Sequence, residues 1–255
     1  MPYTRRSGLR IHYEVAGSGP PLVLLHGYAS SGWTHWFASG WVPFLAGQHT
    51  LVVPDLRGHG LSQKPYSVSA YSIAALAADV LAVMDREGFH SAQVFGYSMG
   101  GMVALELLLS HPERVEAAII GGMGSYFPIG RGRFSIERQR AHSLAPRRTP
   151  TEFARFVGGY LLRFDPIALD RVFRGVFRGG RPVDASRLGE ISVPVLVAAG
   201  SNDLFFGPAR ALAEAIPGAK FLALPGEGHV SAIRNPILRE EVAAFLHPPA
   251  GQGAS

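Results

Sequence analysis

Short apolar runs alternate with helical patterns along most of the chain. Residues Leu9–Ala16 alternate between apolar and polar side chains, which is typical of a half-buried strand. Six other runs are uniformly apolar, as expected for strands of a parallel sheet that is covered on both faces. These runs are Pro21–His26, Thr50–Pro54, Ala92–Tyr97, Ala117–Ile120, Pro194–Gly200 and Lys220–Pro225.

Apolar residues at helical spacing separate several of these strands. One such pattern extends from Ile73 to Met84, a second from Met102 to Leu109, and a third from Pro236 to Leu246. Strands that alternate with helices in this way predict an α/β fold with a doubly wound, mostly parallel sheet.

Residues 125–190 interrupt the alternation. They are rich in Arg and Phe and contain no convincing strand, so we interpret them as a helical insertion late in the sheet. Residues 1–124 and 191–247 then form the α/β core. The Pro/Gly-rich residues 248–255 are predicted to be a flexible tail.

Composition narrows the class of protein. The chain has 255 residues, of which 47% are apolar and 17% charged, so it can bury a substantial core. It has no cysteine, which excludes disulfides and thiolate metal sites. No apolar stretch reaches the roughly 18–20 residues of a membrane span. The N-terminal sequence does not resemble a signal peptide, so a cytoplasmic location is expected.

The charge is concentrated in one segment. The chain carries a net charge of +5, and its only lysines are Lys64 and Lys220. Residues 131–187 contain 13 arginines and five acidic residues, a net charge of +8, and the rest of the chain carries −3. No recognition motif accompanies this charge, so nucleic-acid binding is not predicted. The arginines are either ordinary surface residues or a site that attracts anions, because Arg binds carboxylate and phosphate in a bidentate manner.

One serine stands among glycines at the end of a predicted strand. Gly96, Ser98 and Gly100 form a Gly-x-Ser-x-Gly pattern between a strand and a helix. A sharp turn there needs glycines to avoid clashes, and it presents the serine hydroxyl at the carboxyl edge of the sheet, where ligands bind. The pattern alone also fits a phosphate-binding turn.

A serine nucleophile needs a base, and the base needs an acid that orients it. Asp203 follows one later strand, in SNDLFFG, and His229 follows the last strand, in GEGHV. Neighbouring Asn202 cannot carry the required charge. The segment GGMGSY, which follows the strand at Ala117–Ile120, contains no carboxylate. The chain order Ser98, Asp203, His229 is that of one hydrolase architecture.

Five sequence blocks in this order resemble the α/β-hydrolase superfamily. They are HGYASSG at His26–Gly32, DLRGHGLS at Asp55–Ser62, the GYSMGG turn, GSNDLF and GEGHV. The resemblance covers nearly all of residues 1–247. It favours the capped branch, with its small-molecule esterases, enol-lactonases, C–C bond hydrolases and haloperoxidase-like perhydrolases. The insertion at 125–190 falls where that family carries its cap.

The resemblance implies a role for each site residue. Ser98 is the expected nucleophile, His229 the base and Asp203 the acid, without a cofactor. The backbone amides of Tyr28 and Met99 are the expected oxyanion hole. The strand-to-helix turn that carries Ser98 is called the nucleophile elbow. Dehalogenases and epoxide hydrolases of this superfamily carry Asp in place of this serine, so Ser98 argues against both activities.

The predicted activity is that of a carboxylesterase for small to medium acyl groups. Activity as a lactonase or enol-lactonase, an acyl-thioester or carrier-protein methyl-ester hydrolase, a perhydrolase or a C–C bond hydrolase remains open, as does a receptor-like binding protein on the same fold. Expected partners are a small ester and, at the Arg-rich cap, an anionic substrate or an acidic carrier protein. The candidate pocket residues are Trp33, Trp36, Phe127, Phe153, Phe156, Tyr160 and Val230.

Other titratable residues are expected to be structural. His26 and His59 belong to loop motifs that such side chains tie together, and His35 is expected to pack. His12 and His49 are interpreted as surface or strand-edge residues. Asp55 is expected to bind nearby backbone or Arg57. No metal site is predicted, because no HExxH or similar pattern occurs.

Overall fold

The computed structural model describes residues 2–124, 164–178 and 184–247. Most of the predicted insertion and the predicted tail at 248–255 lie outside this part of the chain. The proposed domain boundaries therefore stay a prediction.

Eight strands form one sheet in the order β1-β2-β4-β3-β5-β6-β7-β8. Strand β2 is antiparallel to both of its neighbours, and β3 to β8 pair in parallel. This architecture confirms the predicted doubly wound, mostly parallel sheet. The strands are β1 Tyr3–Arg6, β2 Leu9–Ala16, β3 Pro21–Leu25, β4 Thr50–Pro54, β5 Ala92–Tyr97, β6 Val115–Gly121, β7 Val195–Gly200 and β8 Lys220–Leu224.

Helices cover both faces of the sheet because its strands are apolar on both sides. Alternate residues of β3 point into different clusters. Val23 and Leu25 join a core layer with α2, α3 and α5, whereas Leu22 and Leu24 join one with α1 and α6. The helices of the described residues are α1 Trp41–Leu45, α2 Ile73–Arg86, α3 Met99–Ser110, α4 Pro166–Val172, α5 Phe206–Ala215 and α6 Pro236–Leu246.

Two strands depart from their sequence patterns. Strand β8, predicted to be buried on both faces, is largely part-exposed, because among the described strands it lies at the edge of the sheet and pairs only with β7. In β2, the expected alternation fails because Ile11, His12 and Tyr13 are consecutively buried. Strand β1 was not predicted from the sequence.

A buried ion pair joins the loop after β4 to helix α2. The Arg57 guanidinium donates to both carboxylate oxygens of Asp79 at 2.6 Å and to the Ala70 carbonyl at 2.7 Å. The side chains of Arg57 and Asp79 are only 5% and 1% exposed. Asp55 was expected to bind nearby backbone or Arg57. It binds the backbone amides of Gly32 and Leu61, whereas Arg57 binds Asp79.

We expect Asp79→Ala to lower the free energy of unfolding by about 3–5 kcal/mol, because it leaves the Arg57 charge buried without its carboxylate. Urea denaturation measures the change. Asp85→Ala is the matched control. Asp85 lies on the same helix and binds Arg114 at the same 2.6 Å, but its side chain is 64% exposed. Its loss should cost less than about 1 kcal/mol. Similar losses in the two variants would contradict the role of burial.

Candidate active site

Ser98 occupies a sharp turn between β5 and α3. Its backbone has φ 55° and ψ −116°, a conformation that L-residues rarely adopt and that costs about 1–3 kcal/mol. Glycines make the turn possible. A Cβ at Gly96 would lie 2.2 Å from the Gly100 carbonyl oxygen, and one at Gly100 would lie 2.1 Å from that of Leu25. The strained turn directs the Ser98 side chain away from the core.

Three side chains from different strand ends form a continuous hydrogen-bond chain. His229 Nε2 lies 3.0 Å from Ser98 Oγ, and His229 Nδ1 lies 2.8 Å from Asp203 Oδ2. The second oxygen of Asp203 accepts the Phe205 amide at 3.0 Å. Because a carboxylate accepts the Nδ1 proton, Nε2 is left as the acceptor for the serine hydroxyl. The structure thus brings together the three residues predicted as nucleophile, acid and base.

Tyr97 holds the loop that carries His229, a contact that the sequence analysis missed. Its hydroxyl donates to the His229 carbonyl at 2.6 Å, and its ring lies 5.7 Å from the imidazole. Phe205 packs on the same imidazole at 5.2 Å. Burial raises the pKa of Tyr97 well above its usual value, so the phenol stays a neutral donor. Its position directly before Ser98 places Tyr97 near the site, but no sequence signal identifies the His229 loop as its partner.

The residues expected to supply backbone donors also flank Ser98. Met99 is the first residue of α3, where amides have no partner within the helix. Tyr28 lies in the loop after β3. This loop passes directly over the elbow, since a Cβ at Gly27 would lie 3.4 Å from the Ser98 Cβ.

Comparisons with known proteins agree with this geometry. Residues 20–125 match a family model described as the alpha/beta hydrolase fold. Two solved structures are similar over 96% of this chain: Est816, described as an N-acyl homoserine lactone degrading enzyme, and the esterase RhEst1 from Rhodococcus sp. ECU1013. Est816 has a TM-score of 0.75, 29% identity and 100% of its chain covered. For RhEst1 these values are 0.73, 27% and 97%.

The chain has the α/β-hydrolase fold, and these similarities support its place in the α/β-hydrolase superfamily. A soluble epoxide hydrolase from Corynebacterium sp. (strain C12) is 38% identical over 130 residues, which are 48% of this chain and 44% of that protein. The chain therefore aligns with less than half of that relative. Together the similarities support a hydrolase of this superfamily, as the sequence predicted.

Two buried histidines fix the loop that contains Tyr28. His26 donates from Nδ1 to the Gly27 carbonyl at 2.8 Å and accepts the Leu56 amide at Nε2. His59 Nε2 accepts the Ala29 amide at 3.3 Å. Burial lowers the pKa of both imidazoles, that of His59 to about 3, so both stay neutral. Their predicted loop-tying role is confirmed.

A second histidine–aspartate pair lies outside the site. His12 Nδ1 binds Asp55 Oδ2 at 2.9 Å, and Asp55 also accepts the amides of Gly32 and Leu61 at 2.8 Å. Burial alone would raise the pKa of Asp55, but these hydrogen bonds outweigh it and lower the pKa to about 2. The interpretation of His12 and His49 as surface or strand-edge residues is wrong, since both are buried.

The candidate pocket residues have different environments. Trp33 and Val230 are 55% and 45% exposed, and Trp33 stacks on Phe37. Trp36 is fully buried and packs edge-on against Phe95 in the core. The prediction that Trp36 lines a pocket is therefore wrong, because its indole is part of the core layer between the sheet and helices α1 and α6. The remaining candidates, Phe127, Phe153, Phe156 and Tyr160, lie outside the described residues.

Within residues 2–124, 164–178 and 184–247, no cluster of His, Cys, Asp and Glu side chains is placed to hold a metal ion. No helix in this part of the chain has the length and apolarity to cross a membrane.

His35 is a part-buried residue whose imidazole packs against Tyr97, the residue before Ser98. Its ring packs on Trp36 at 4.7 Å and on Tyr97 at 5.3 Å, which agrees with the expected packing role. Its Nε2 is buried without a hydrogen-bond partner. Burial lowers the pKa of His35 from 6.5 to about 3.

This depressed pKa makes the stability of the fold depend on pH. Between pH 6.5 and 3 the unfolded chain binds a proton at His35 that the folded chain does not, so stability falls as the pH drops through this window. His35→Leu should make the fall shallower, by up to about 1.4 kcal/mol per pH unit. Urea denaturation between pH 7 and 4 measures the slope. His90→Leu, at an exposed position, is the control and should keep the wild-type slope. A wild-type slope in His35→Leu would refute the assignment.

Proposed function

We propose that this α/β-hydrolase is a serine carboxylesterase that cleaves esters of small to medium acyl groups through an acyl-enzyme. The observation that carries the proposal is the unbroken chain from Ser98 through His229 to Asp203, with contacts of 3.0 and 2.8 Å. A serine hydroxyl next to a neutral imidazole that a carboxylate orients is the arrangement that activates a weak nucleophile.

Acylation uses each member of this catalytic triad. Ser98 Oγ attacks the ester carbonyl carbon while its proton passes to His229 Nε2. The Asp203 carboxylate stabilises the resulting imidazolium through Nδ1. The carbonyl oxygen becomes an oxyanion that the amides of Met99 and Tyr28 bind. Each such donor typically lowers the activation free energy by about 3–4 kcal/mol. The alcohol then leaves with the proton from His229.

Deacylation repeats these steps with water. His229 Nε2 takes a proton from water, whose oxygen attacks the acyl carbon and forms a second oxyanion in the same place. Collapse of this intermediate releases the carboxylic acid and returns the proton to Ser98. None of the steps calls for a cofactor.

The type of nucleophile favours esters over epoxides. The chain carries Ser98 where epoxide hydrolases of the superfamily carry Asp, although one relative in the comparison is an epoxide hydrolase. Similarity to a structure described as lactone-degrading supports a second candidate, a lactonase. A lactone is a cyclic ester, so the same residues would open it and the alcohol would stay attached to the acyl group.

Several arginines of the basic segment are already paired in the described residues. Arg171 and Arg174 both bind Asp170, at 2.7 and 3.0 Å, and Arg187 binds Glu190 at 3.0 Å. These three therefore fit the interpretation as surface residues. Binding of an anionic substrate or an acidic carrier protein stays a prediction. It rests on Arg178, which lies over the Phe173 ring, and on the arginines outside the described residues.

Ser98→Ala and His229→Ala should each lower kcat for p-nitrophenyl butyrate by about 10⁴-fold or more, because triad members act as a unit. A fluorophosphonate probe, located by mass spectrometry, should label Ser98 in the wild type. Ser110→Ala and His90→Ala remove a hydroxyl and an imidazole at exposed positions and should keep wild-type rates. Near-native activity in His229→Ala would disprove the base assignment, and an unlabelled wild type would favour the receptor-like alternative.

Acyl-chain length tests the substrate class. We expect kcat/KM to be higher for C2–C6 p-nitrophenyl esters than for the C16 ester, because an apolar pocket covered by the predicted insertion would enclose short acyl groups. Steady-state rates below the micellar concentration of each ester provide the comparison, and the opposite order would overturn the size assignment. Adding γ- and δ-lactones to the panel separates the esterase from the lactonase.

A further inference from the structure

We propose that the Tyr28 side chain is a positioning residue that holds its own backbone amide in place by bracing it against residues 164–178. The inference deepens the proposed function and rests on it, since it concerns the amide assigned to the oxyanion hole. Nothing in the proposal requires the Tyr28 side chain to touch substrate.

On the core side, the peptide groups on both sides of Tyr28 are fixed by histidines. His26 binds the carbonyl of Gly27 at 2.8 Å, and His59 binds the amide of Ala29 at 3.3 Å. Ala29 has φ 53°, which turns the chain sharply after Tyr28. Both histidines are buried neutral, so these anchors do not change with protonation at neutral pH.

The Tyr28 side chain extends in the opposite direction, towards helix α4 and the turn that follows it. Its hydroxyl donates to the Leu169 carbonyl at 3.0 Å. Its ring lies edge-on to Phe177 at 5.5 Å and tilted against Phe173 at 6.1 Å, while His59 contacts it from the core at 6.0 Å. The ring is therefore wedged between the core and the 164–178 segment.

The 164–178 segment has its own attachments to the core, independent of Tyr28. The Tyr66 hydroxyl donates to Asp165 at 2.7 Å, and Arg171 donates to the Tyr66 carbonyl at 3.0 Å. Gly175 packs so closely that a Cβ there would lie 2.3 Å from the Tyr71 carbonyl oxygen. The segment thus offers a fixed wall, and loss of the Tyr28 hydroxyl should free the loop more than it frees the wall.

This arrangement matters because an oxyanion donor works only when its direction is set before charge develops. A loop that is held from the core side alone can rock. Rocking weakens a hydrogen bond that is stronger in the transition state than in the substrate complex, so it lowers kcat and leaves KM nearly unchanged.

Two conservative variants test the proposal. Tyr28→Phe removes the hydroxyl and keeps the ring contacts. We expect it to lower kcat about three- to tenfold with KM within twofold, the size of one net hydrogen bond. Tyr66→Phe is the matched control, because it removes the other tyrosine hydroxyl that links the core to this segment. We expect it to leave both kcat and KM within twofold of the wild type.

Amide hydrogen exchange gives a readout that does not depend on activity. Tyr28→Phe should speed exchange in residues 27–32, whereas Tyr66→Phe should speed it at the start of α4 and leave the 27–32 loop unchanged. Equal losses of kcat in the two variants, or unchanged loop exchange in Tyr28→Phe, would overturn the proposal. Failure of the fluorophosphonate to label wild-type Ser98 would instead overturn the proposed function. The exchange data would still test whether the Tyr28 side chain holds the 27–32 loop in place.

Discussion

The left-handed backbone of Ser98 is the constraint on which the arrangement of the site depends. The turn forces β5 to end and α3 to begin within one residue, so the hydroxyl and the first amides of the helix face the same space. The turn is tolerated because Gly96 and Gly100 let three backbone segments approach within distances that a Cβ would forbid. The Ser98 amide also donates to the Gly121 carbonyl at 2.7 Å, which ties the turn to the end of β6. The rest of the core stabilises a conformation that this serine would not adopt alone.

Much of this site could be predicted because parallel strands end at a common edge. The apolar runs fixed the strands within about two residues in most cases, and the residues that follow β5, β7 and β8 then had to meet. Ser98, Asp203 and His229 follow from that rule together with their chemistry. A residue that a pattern places at a strand end is thus located in space without any knowledge of its contacts.

The contacts that sequence reasoning missed have no local signal. The bonds from Tyr97 to His229, from Tyr28 to Leu169 and from His12 to Asp55 join residues that are 132, 141 and 43 positions apart. Each depends on the packing of a loop, which hydrophobic periodicity does not describe. Trp36 shows the converse error. Its place in an active-site loop suggested a pocket, but large apolar side chains more often fill the core. The two His–Asp pairs have nearly equal lengths but different third groups. His229 Nε2 is hydrogen-bonded to Ser98 Oγ, whereas His12 Nε2 lies 3.1 Å from the Glu14 carboxylate.

The edge position of β8 has a consequence for how the enzyme loses activity. His229 lies just beyond this strand, which pairs with β7 on one side and, within the described part of the chain, with no strand on the other. Edge elements open at a lower free-energy cost than the centre of a sheet. A transient detachment of β8 would carry the imidazole away from Ser98 while the turn between β5 and α3 stayed folded. Heat inactivation of such an enzyme would begin as a local and reversible event, at temperatures below the cooperative melting of the core.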